Sequence, residues 1–496
     1  MEKNISRRNF LQKSALATAG AIVASTPLMA KVPLGSQKKK KIPATDKLNI
    51  AGIGIGGRGG AVIREMNSQN IVALCDVDWK YSAEQFKNYP DAKKYKDFRK
   101  LFDEMGNKID AVVVGTADHT HAVIAAQALA MGKHVYCEKP LTHTVYETRL
   151  LTRLADKHKV ATQMGNQGAS GQGVRQICEA IWSGMIGEIS KVEAFTDRPI
   201  WPQGLETPSA VHTPHPDLDW DLFIGPAPFR PYNDIYHPWN WRGWWDFGTG
   251  ALGDMACHIL QPVVKALNLK SPVAVQGSST SLMTDCAPNA QIAKFVFPAR
   301  DNMPKVGMPR VEVTWYDGGL LPVFPQGWPA GRNMNDSGGA VIFYGTKDTL
   351  ICGCYGVRPW LLSGREIPVP TMTREVPENN HYLDFIRACR ENPESRVKTA
   401  SDFCEAGPLN EMVVMGVLAV RLQGLNRELL WDGDAMKFTN ISPNDTIRMK
   451  VKDGFSIKDG HPTFNNEYTD PINALQFSEE LIRHTYRAGY SLPEMP

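Results

Sequence analysis

The sequence lacks the features that mark a membrane-spanning or a nucleic-acid-binding protein. After the first 30 of its 496 residues, no apolar run reaches the length of about 20 residues that a membrane-spanning helix needs. No basic stripe interleaved with aromatic residues follows, and the formal net charge is only +3. We therefore expect no nucleic-acid partner and no membrane span in the mature chain.

Paired cysteine motifs are also missing. The nine cysteines are odd in number and spread over a long chain, so they do not predict a disulfide scaffold. Cys352 and Cys354 are separated by one residue and have no second pair of ligands nearby, so no metal site is predicted.

The first 30 residues are interpreted as a targeting signal. Residues 6–13 resemble the twin-arginine export signal, and an apolar stretch and a small-residue cleavage site ending at Ala30 follow. The alternative is an N-terminal helix that remains as an anchor. Residues 31–46, which contain a lysine run and two prolines, are typical of a solvated linker. A periplasmic or otherwise exported protein is expected.

Two kinds of pattern follow the linker. Strand and helix patterns alternate between residues 47 and 141, which predicts a doubly wound parallel sheet, an α/β fold. After residue 168, strand-like runs are separated by long loops rich in Pro, Gly and Trp, which predicts a largely antiparallel open sheet in a second α/β domain. Helices over residues 380–425 are expected to return to the first domain. The predicted segments are a signal (1–30), a linker (31–46), a Rossmann domain (47–167), a C-terminal domain (168–425) and a C-terminal extension (426–496).

A glycine-rich turn follows the first predicted strand. In the pattern Gly-x-Gly-x-x-Gly the first glycine makes a tight turn, the second admits a pyrophosphate and the third allows close packing of the next helix. A register that starts at Gly52 also fits and is ranked second, and a purely structural turn is the alternative. The residues predicted to hold the phosphates are Gly54, Gly56, Gly57, Arg58 and Gly59.

Asp76 ends the second predicted strand, 22 residues after Gly54. A carboxylate there accepts hydrogen bonds from the adenosine ribose hydroxyls and repels a 2′-phosphate. The predicted cofactor is therefore NAD, with NADP less favoured.

Two polar stretches follow later strands of the predicted sheet. They are Thr116–His121 and Glu138-Lys139-Pro140, and both fall where open α/β sheets place their ligands. An ammonium at Lys139 can hydrogen-bond a substrate hydroxyl and stabilise an alkoxide as hydride leaves. The alternative for Lys139 is a surface lysine.

Together these motifs resemble the glucose–fructose oxidoreductase, inositol dehydrogenase and MocA family over roughly residues 47–425. One departure is Ala117, where many members have proline, which affects loop stiffness. The resemblance implies an NAD-dependent oxidoreductase with a Rossmann domain and a C-terminal α/β domain whose open sheet often packs in oligomers, so a homo-oligomer is expected. The matching elements are the glycine turn, Asp76-Val77-Asp78, Thr116–His121, Glu138-Lys139-Pro140, Gly165-Asn166-Gln167 and Gly253-Asp254 with His258.

The resemblance also implies residue roles. His258 would be the catalytic base, Lys139 a second proton handler, and Asp254 the orienter or a substrate ligand. Asp254 and His258 are four residues apart, so on a helix they share a face, and the carboxylate would favour the protonated imidazole. The alternative for His258 is a satisfied core histidine. Further cofactor contacts are predicted at Thr116, His119, His121, Glu138, Lys139, Asn166 and Gln167.

A tryptophan-rich segment, residues 239–250, lies just before Asp254. Aromatic faces stack on sugar rings, so Arg242, Trp244 and Trp245 are predicted to bind substrate together with Asp254 and His258. Packing of the loop or of an interface is an equally weighted interpretation. Further pocket candidates are His212, Asp219, Trp220, His237 and His381.

The sequence thus predicts an exported dehydrogenase that oxidises a ring hydroxyl of a sugar, glycoside or polyol, with hydride passing to NAD. Because little free NAD exists outside the membrane, the cofactor is expected to stay bound and to be recycled. Two alternatives remain open. One is an NAD-dependent glycoside hydrolase or lyase that works through a transient keto-sugar, as some exported relatives do; the other is a non-catalytic sugar-binding protein of this fold.

Overall fold

A parallel sheet forms the centre of the N-terminal domain in the computed structural model, which describes residues 46–301, 308–335 and 338–496. The predicted export signal and almost all of the predicted linker lie outside the described residues. The strands are β1 (Asn49–Ile53), β2 (Asn70–Cys75), β3 (Lys93–Tyr95), β4 (Ala111–Val114), β5 (His134–Cys137) and β6 (Thr162–Met164). Their order is β3-β2-β1-β4-β5-β6, and every neighbouring pair is parallel, as predicted.

Helices between the strands cover both faces of this sheet and pack on its apolar side chains. All four residues of β4 are buried, which is the pattern of a central parallel strand. The edge strand β3 was not predicted, because only one of its three side chains is buried and no periodicity reveals it. The helices are α1 (Gly57–Glu65), α2 (Ala83–Asn88), α3 (Phe98–Met105), α4 (Asp118–Ala130) and α5 (Val145–His158).

The second sheet is mixed and mostly antiparallel, as predicted. Its order is β13-β12-β11-β7-β10-β9-β8-β14-β15, and β7 with β10 forms a parallel pair. The strands are β7 (Ile189–Phe195), β8 (Ala274–Ser279), β9 (Gln291–Phe297), β10 (Val311–Tyr316), β11 (Ala340–Gly345), β12 (Thr349–Gly353), β13 (Trp360–Leu361), β14 (Leu429–Asp432) and β15 (Lys437–Phe438).

Helices join the two sheets. The first four are α6 (Gln172–Trp182), α7 (Trp220–Ile224), α8 (Gly250–Ile259) and α9 (Gln261–Ala266). Two later helices, α10 (His381–Arg390) and α11 (Phe403–Arg421), contact the first domain: Phe385 of α10 joins the core around β1, and α11 packs on both α5 and β8. By length and composition alone α11 could cross a membrane, but 83% of its apolar window is buried within the protein, so it is a core helix.

The C-terminal extension contains regular structure. In this segment β14 pairs with β8, and a further helix, α12 (Ala474–Ile482), packs against α11. After α12 the chain runs back to the N-terminal domain, where Tyr486 donates a hydrogen bond to Glu147 at the start of α5. The extension is therefore anchored at both domains.

Candidate active site

The glycine-rich turn connects β1 to α1. Gly54 has φ +74°, in the left-handed region that favours glycine, and a Cβ there would lie 2.5 Å from the backbone nitrogen of Thr116. A Cβ on Gly59 would overlap the carbonyl oxygen of Gly54, so α1 can approach the turn only because Gly59 has no side chain. This close approach supports the register that starts at Gly54 over the one that starts at Gly52.

The turn opens into a cleft with a volume of about 140 Å³. The cleft runs between the N-terminal domain and the tryptophan-rich segment, so both domains contribute to its walls. The predicted site residues that line it are Gly54, Gly56, Gly57, Arg58, Asp76, Thr116, His119, Glu138, Lys139, Arg242 and Asp254.

Asp76 lies at one side of the cleft, where β2 ends. Its Oδ2 accepts hydrogen bonds from the backbone amides of Ile55 (2.8 Å) and Gly56 (2.9 Å), and its Oδ1 accepts one from Asp78 (2.9 Å). Burial raises the pKa of Asp76, although these amides oppose the shift. The carboxylate therefore fixes the glycine turn in addition to facing the cleft.

At the other side, three charged side chains meet. The ammonium of Lys139 donates hydrogen bonds to the backbone oxygen (2.6 Å) and Oδ1 (2.8 Å) of Asp254, and Nε of Arg242 lies 3.1 Å from the same Oδ1. Burial would raise the pKa of Asp254, but the two cations outweigh it and hold that pKa at about 2. Burial would lower the pKa of Lys139, but Asp254 raises it, so Lys139 is a cation.

His258 shares α8 with Asp254 but does not line the cleft. It is 6% exposed, its ring lies 4.5 Å from that of Tyr355, and its Nδ1 has no hydrogen-bond partner among the described residues. Burial, followed by the charge of Lys139, lowers its pKa well below the usual 6.5. Asp254 does raise the pKa of this imidazole, as expected of a carboxylate, but burial and the charge of Lys139 outweigh it, so the ring is neutral.

Two histidines predicted to contact the cofactor, His119 and His121, connect neighbouring segments through their ring nitrogens. The ring nitrogens of His119 lie 3.2 Å and 2.9 Å from the carbonyl oxygens of Phe247 and Phe223. Those of His121 lie 2.8 Å and 3.0 Å from the carbonyl oxygens of Pro140 and Thr116. Burial lowers the pKa of His119 to about 3 and that of His121 to about 4, so both rings are neutral. His119 also lines the cleft, whereas His121 lies behind it.

Glu138 is held rigidly beside the cleft. Its carboxylate accepts a hydrogen bond from Nε of Arg58 (3.1 Å), and Arg58 also donates one to the hydroxyl of Tyr382 (2.6 Å). Asn166 and Gln167 do not line the cleft: Asn166 faces a separate cavity, and Gln167 donates to the carbonyl oxygen of Gly165 (2.8 Å).

The prediction that Trp244 and Trp245 bind substrate is wrong. They are 0% and 3% exposed and belong to hydrophobic cores, because the chain at this point runs inward toward α8. Trp239 and Trp241 line the cleft instead, with the guanidinium carbon of Arg242 lying 3.9 Å and 4.4 Å from their ring centres. The pattern Trp-x-Trp-Arg, an arginine next to spaced aromatic residues, is the signal that could have distinguished them.

Of the five further pocket candidates, one lines the cleft and four do not. His237 lines the cleft, and its Nε2 lies 2.8 Å from the carboxylate of Asp78. His212 pairs with Asp234 at the surface, and His381 is buried against Ser170 and the carbonyl oxygen of Met164. Asp219 caps α7, and Trp220 packs in an aromatic core.

Comparison with known proteins agrees with this architecture. Residues 47–166 match the Gfo/Idh/MocA oxidoreductase family, described as an NAD-binding Rossmann fold, and residues 170–295 match its C-terminal alpha/beta domain. The chain belongs to the Gfo/Idh/MocA family.

Relatives of this chain include glycosyl hydrolase family 109 proteins. One from Shewanella baltica is 26% identical over 318 residues, which are 60% of this chain and 62% of the relative. One from Shewanella pealeana is 25% identical over 38% of this chain and 45% of the relative. The match thus spans less than two thirds of the length of these relatives.

Solved structures share the fold. The WlbA dehydrogenase from Bordetella pertussis, in complex with NADH and UDP-GlcNAcA, has a TM-score of 0.52 and 15% identity over 78% of this chain and 99% of that chain. An inositol dehydrogenase homologue from Azotobacter vinelandii, with NADH and myo-inositol, has a TM-score of 0.51 and 18% identity over 78% and 98%. Likeness at this level establishes the fold alone.

The residues around the cleft fit the dinucleotide that the Gfo/Idh/MocA domain binds. Gly56, which precedes α1, has no side chain that could cap the first amides of that helix, so they are available to phosphate oxygens. A Cβ on Gly54 would collide with Thr116 and Gly115 beside the turn. One residue that was not predicted, Tyr81, lies with its ring against Gly56 and lines the cleft.

Proposed function

We propose that the protein oxidises and reduces a ring hydroxyl of a sugar, glycoside or polyol with NAD. One observation carries this proposal: the Lys139–Asp254–Arg242 cluster and the glycine turn line the same cleft. A non-catalytic sugar-binding protein would be expected to turn Lys139, Asp254 or His258 away from the nicotinamide site. Lys139 and Asp254 line the cleft, which favours an enzyme, whereas His258 does not line it.

Each side chain of the cluster has a chemical task in this proposal. The protonated Lys139 stabilises the negative charge that develops on the substrate oxygen as its proton leaves. Asp254 holds the ammonium in place. His258, the base that the resemblance implies, is neutral but does not line the cleft, so the proton would reach it through a group between it and the substrate. Bound NAD would supply the hydride acceptor. Asp76 favours NAD over NADP, because a 2′-phosphate would meet its carboxylate.

The cleft wall beside the cluster suits a sugar. Trp239 and Trp241 offer flat aromatic faces for the C–H side of a ring, and Arg242 between them offers donors for hydroxyl groups. The exposed fraction of Trp239, 46%, leaves a broad surface for the ligand. The proposed substrate is therefore a carbohydrate that presents both an apolar face and hydroxyl groups.

A second candidate function is hydrolysis of a glycoside through a transient keto-sugar. The glycosyl hydrolase family 109 names of the relatives favour it. Such an enzyme would oxidise a sugar hydroxyl, eliminate the aglycone, add water and reduce the ketone again. The same Lys139 and His258 would serve the oxidation and its reversal, so both candidates use one site.

One experiment separates the candidates. The purified protein is assayed for bound dinucleotide, and its absorbance is followed while a panel of sugars and glycosides is added. Reduced nucleotide that accumulates with an oxidised sugar supports the dehydrogenase. Released aglycone without net reduced nucleotide selects the hydrolase. Absence of nucleotide, with no response after NAD is added, contradicts both.

The pH dependence of kcat/KM tests the role of His258. Because burial and Lys139 lower its pKa well below 6.5, we expect activity to stay level where an ordinary histidine titrates, about pH 5 to 8. Asp118 can titrate in the same pH range and requires its own control variant. Burial raises its pKa to about 7, although Thr249, Arg242 and Lys139 oppose the shift. A loss of activity below pH 7 that persists in Asp118→Asn would contradict a neutral His258.

We also propose that the chain is exported by the twin-arginine route with NAD already bound. The proposal rests on the sequence pattern around Arg7 and Arg8. Replacing both arginines by lysine should keep the protein in the cytoplasm, which cell fractionation measures. Unchanged export of this variant would rule out the twin-arginine route.

A further inference from the structure

The end of the C-terminal extension is fixed onto α7. Nε of Arg487 donates a hydrogen bond to the carbonyl oxygen of Gly225 (3.0 Å), and its terminal nitrogens bind the carboxylate (2.5 Å) and carbonyl oxygen (2.9 Å) of Asp221. The backbone amide of Arg487 donates to Pro226 (2.9 Å). Four hydrogen bonds thus hold this segment against the helix whose Leu222 lines the cleft.

These bonds bring Tyr490 to the wall of the cleft. The guanidinium of Arg99 lies 4.8 Å from the centre of its ring, and Arg99 also donates a hydrogen bond to the carbonyl oxygen of Gly489 (3.2 Å). The ring is half-buried and lines the same cleft as the glycine turn. Tyr490 is held from both directions, by Arg487 along the chain and by Arg99 on the N-terminal domain.

The strand order shows which end of the cleft Tyr490 occupies. In the order β3-β2-β1-β4-β5-β6, the glycine turn follows β1, Lys139 follows β5, and Phe98 and Arg99 follow β3. Tyr490 therefore lies on the opposite side of the turn from Lys139. Phe98, Ile124 and Leu222 also line the cleft and give it apolar surface.

We propose that Tyr490 contacts the adenine of the bound dinucleotide and strengthens its binding. This inference rests on the proposed function, in which the nicotinamide half lies at Lys139 and the pyrophosphate at the glycine turn, so the adenosine half lies toward Asp76 and Tyr490. The guanidinium carbons of Arg99 and Arg487 lie 4.8 Å and 5.8 Å from the centre of the Tyr490 ring, so the adenine would contact the part of the ring that faces the cleft. The C-terminal extension thus completes the cofactor site of the N-terminal domain.

The test compares two ligands that differ in the adenylate half. Wild type and Tyr490→Ala, each freed of nucleotide, are titrated with NAD and with nicotinamide mononucleotide in a calorimeter. We expect Tyr490→Ala to bind NAD about tenfold more weakly and the mononucleotide unchanged, because base–aromatic stacking is lost only for NAD. Tyr490→Phe should behave as wild type, and Tyr490→Leu, which fills the space without a flat ring, should resemble Tyr490→Ala.

Tyr468→Ala is the matched control, since Tyr468 lies in the same extension, is 53% exposed and does not line the cleft. Unchanged NAD affinity in Tyr490→Ala and Tyr490→Leu would overturn the inference. Equal weakening of both ligands would also overturn it, because the change would then act through the fold. Wild type that binds neither ligand would contradict the proposed function itself.

Discussion

Replacing Lys139 by alanine is expected to lower kcat/KM about 1,000-fold while the protein remains folded. The ammonium is a fixed cation beside the proposed reacting oxygen, and removal of one such preorganised group costs about 100- to 1,000-fold in other enzymes. Asp254 would retain Arg242 at 3.1 Å, so no carboxylate is left without a counter-charge. Steady-state kinetics with the substrate found in the panel, together with thermal unfolding, measure the two effects.

Lys294→Ala is the matched control for this variant. Lys294 forms an ion pair with Glu428 (3.1 Å) on the second sheet, away from the cleft. Its loss should leave kcat/KM unchanged, because partly exposed ion pairs contribute little beyond their own site. If Lys139→Ala kept activity within tenfold of wild type, Lys139 would not be a catalytic residue and the proposed chemistry would need another cation.

The parts of the fold that depend on local backbone requirements could be predicted from the sequence. The glycine turn is such a part, because Gly54 needs a positive φ and Gly59 must leave room for the carbonyl oxygen of Gly54, only five residues before it. The central strand β4 is another, since burial on both faces requires an uninterrupted apolar run. Asp76 and Lys139 could be placed at the sheet edge because Asp76 directly follows β2 and Lys139 comes two residues after the end of β5.

The parts that depend on distant segments could not be predicted. Trp241 and Trp244 stand three residues apart in one loop, and which of them meets the cleft depends on the path of the loop between the domains. The pKa of His258 depends on burial beneath Tyr355 and on the charge of Lys139, which follows β5 in the other domain. Tyr490 reaches the cleft because Arg487 binds α7 and Arg99 binds the neighbouring Gly489. None of these contacts leaves a periodic pattern in the sequence.

Replacing Gly54 by alanine is expected to weaken NAD binding at least 100-fold and to lower the free energy of unfolding by about 2–3 kcal/mol. A left-handed conformation costs a non-glycine residue about 1–2 kcal/mol. The remainder comes from crowding, because the new Cβ would lie 2.5 Å from the nitrogen and 2.6 Å from Cγ2 of Thr116. Both Gly54 and Thr116 line the cleft, so any movement that relieves the crowding also displaces the phosphate cradle.

Gly460→Ala isolates the conformational part of this effect. Gly460 has φ +80°, similar to that of Gly54, but a Cβ there would meet no atom within 4 Å. Its replacement should cost only the left-handed penalty and leave NAD binding unchanged, as measured by denaturant unfolding and calorimetric titration. The difference between the two variants then measures the crowding at the turn. If both variants lost the same stability and Gly54→Ala kept its NAD affinity, the prediction would be wrong. The turn could then accept a Cβ without moving the phosphate-binding residues, and Gly54 would be required only for its backbone conformation.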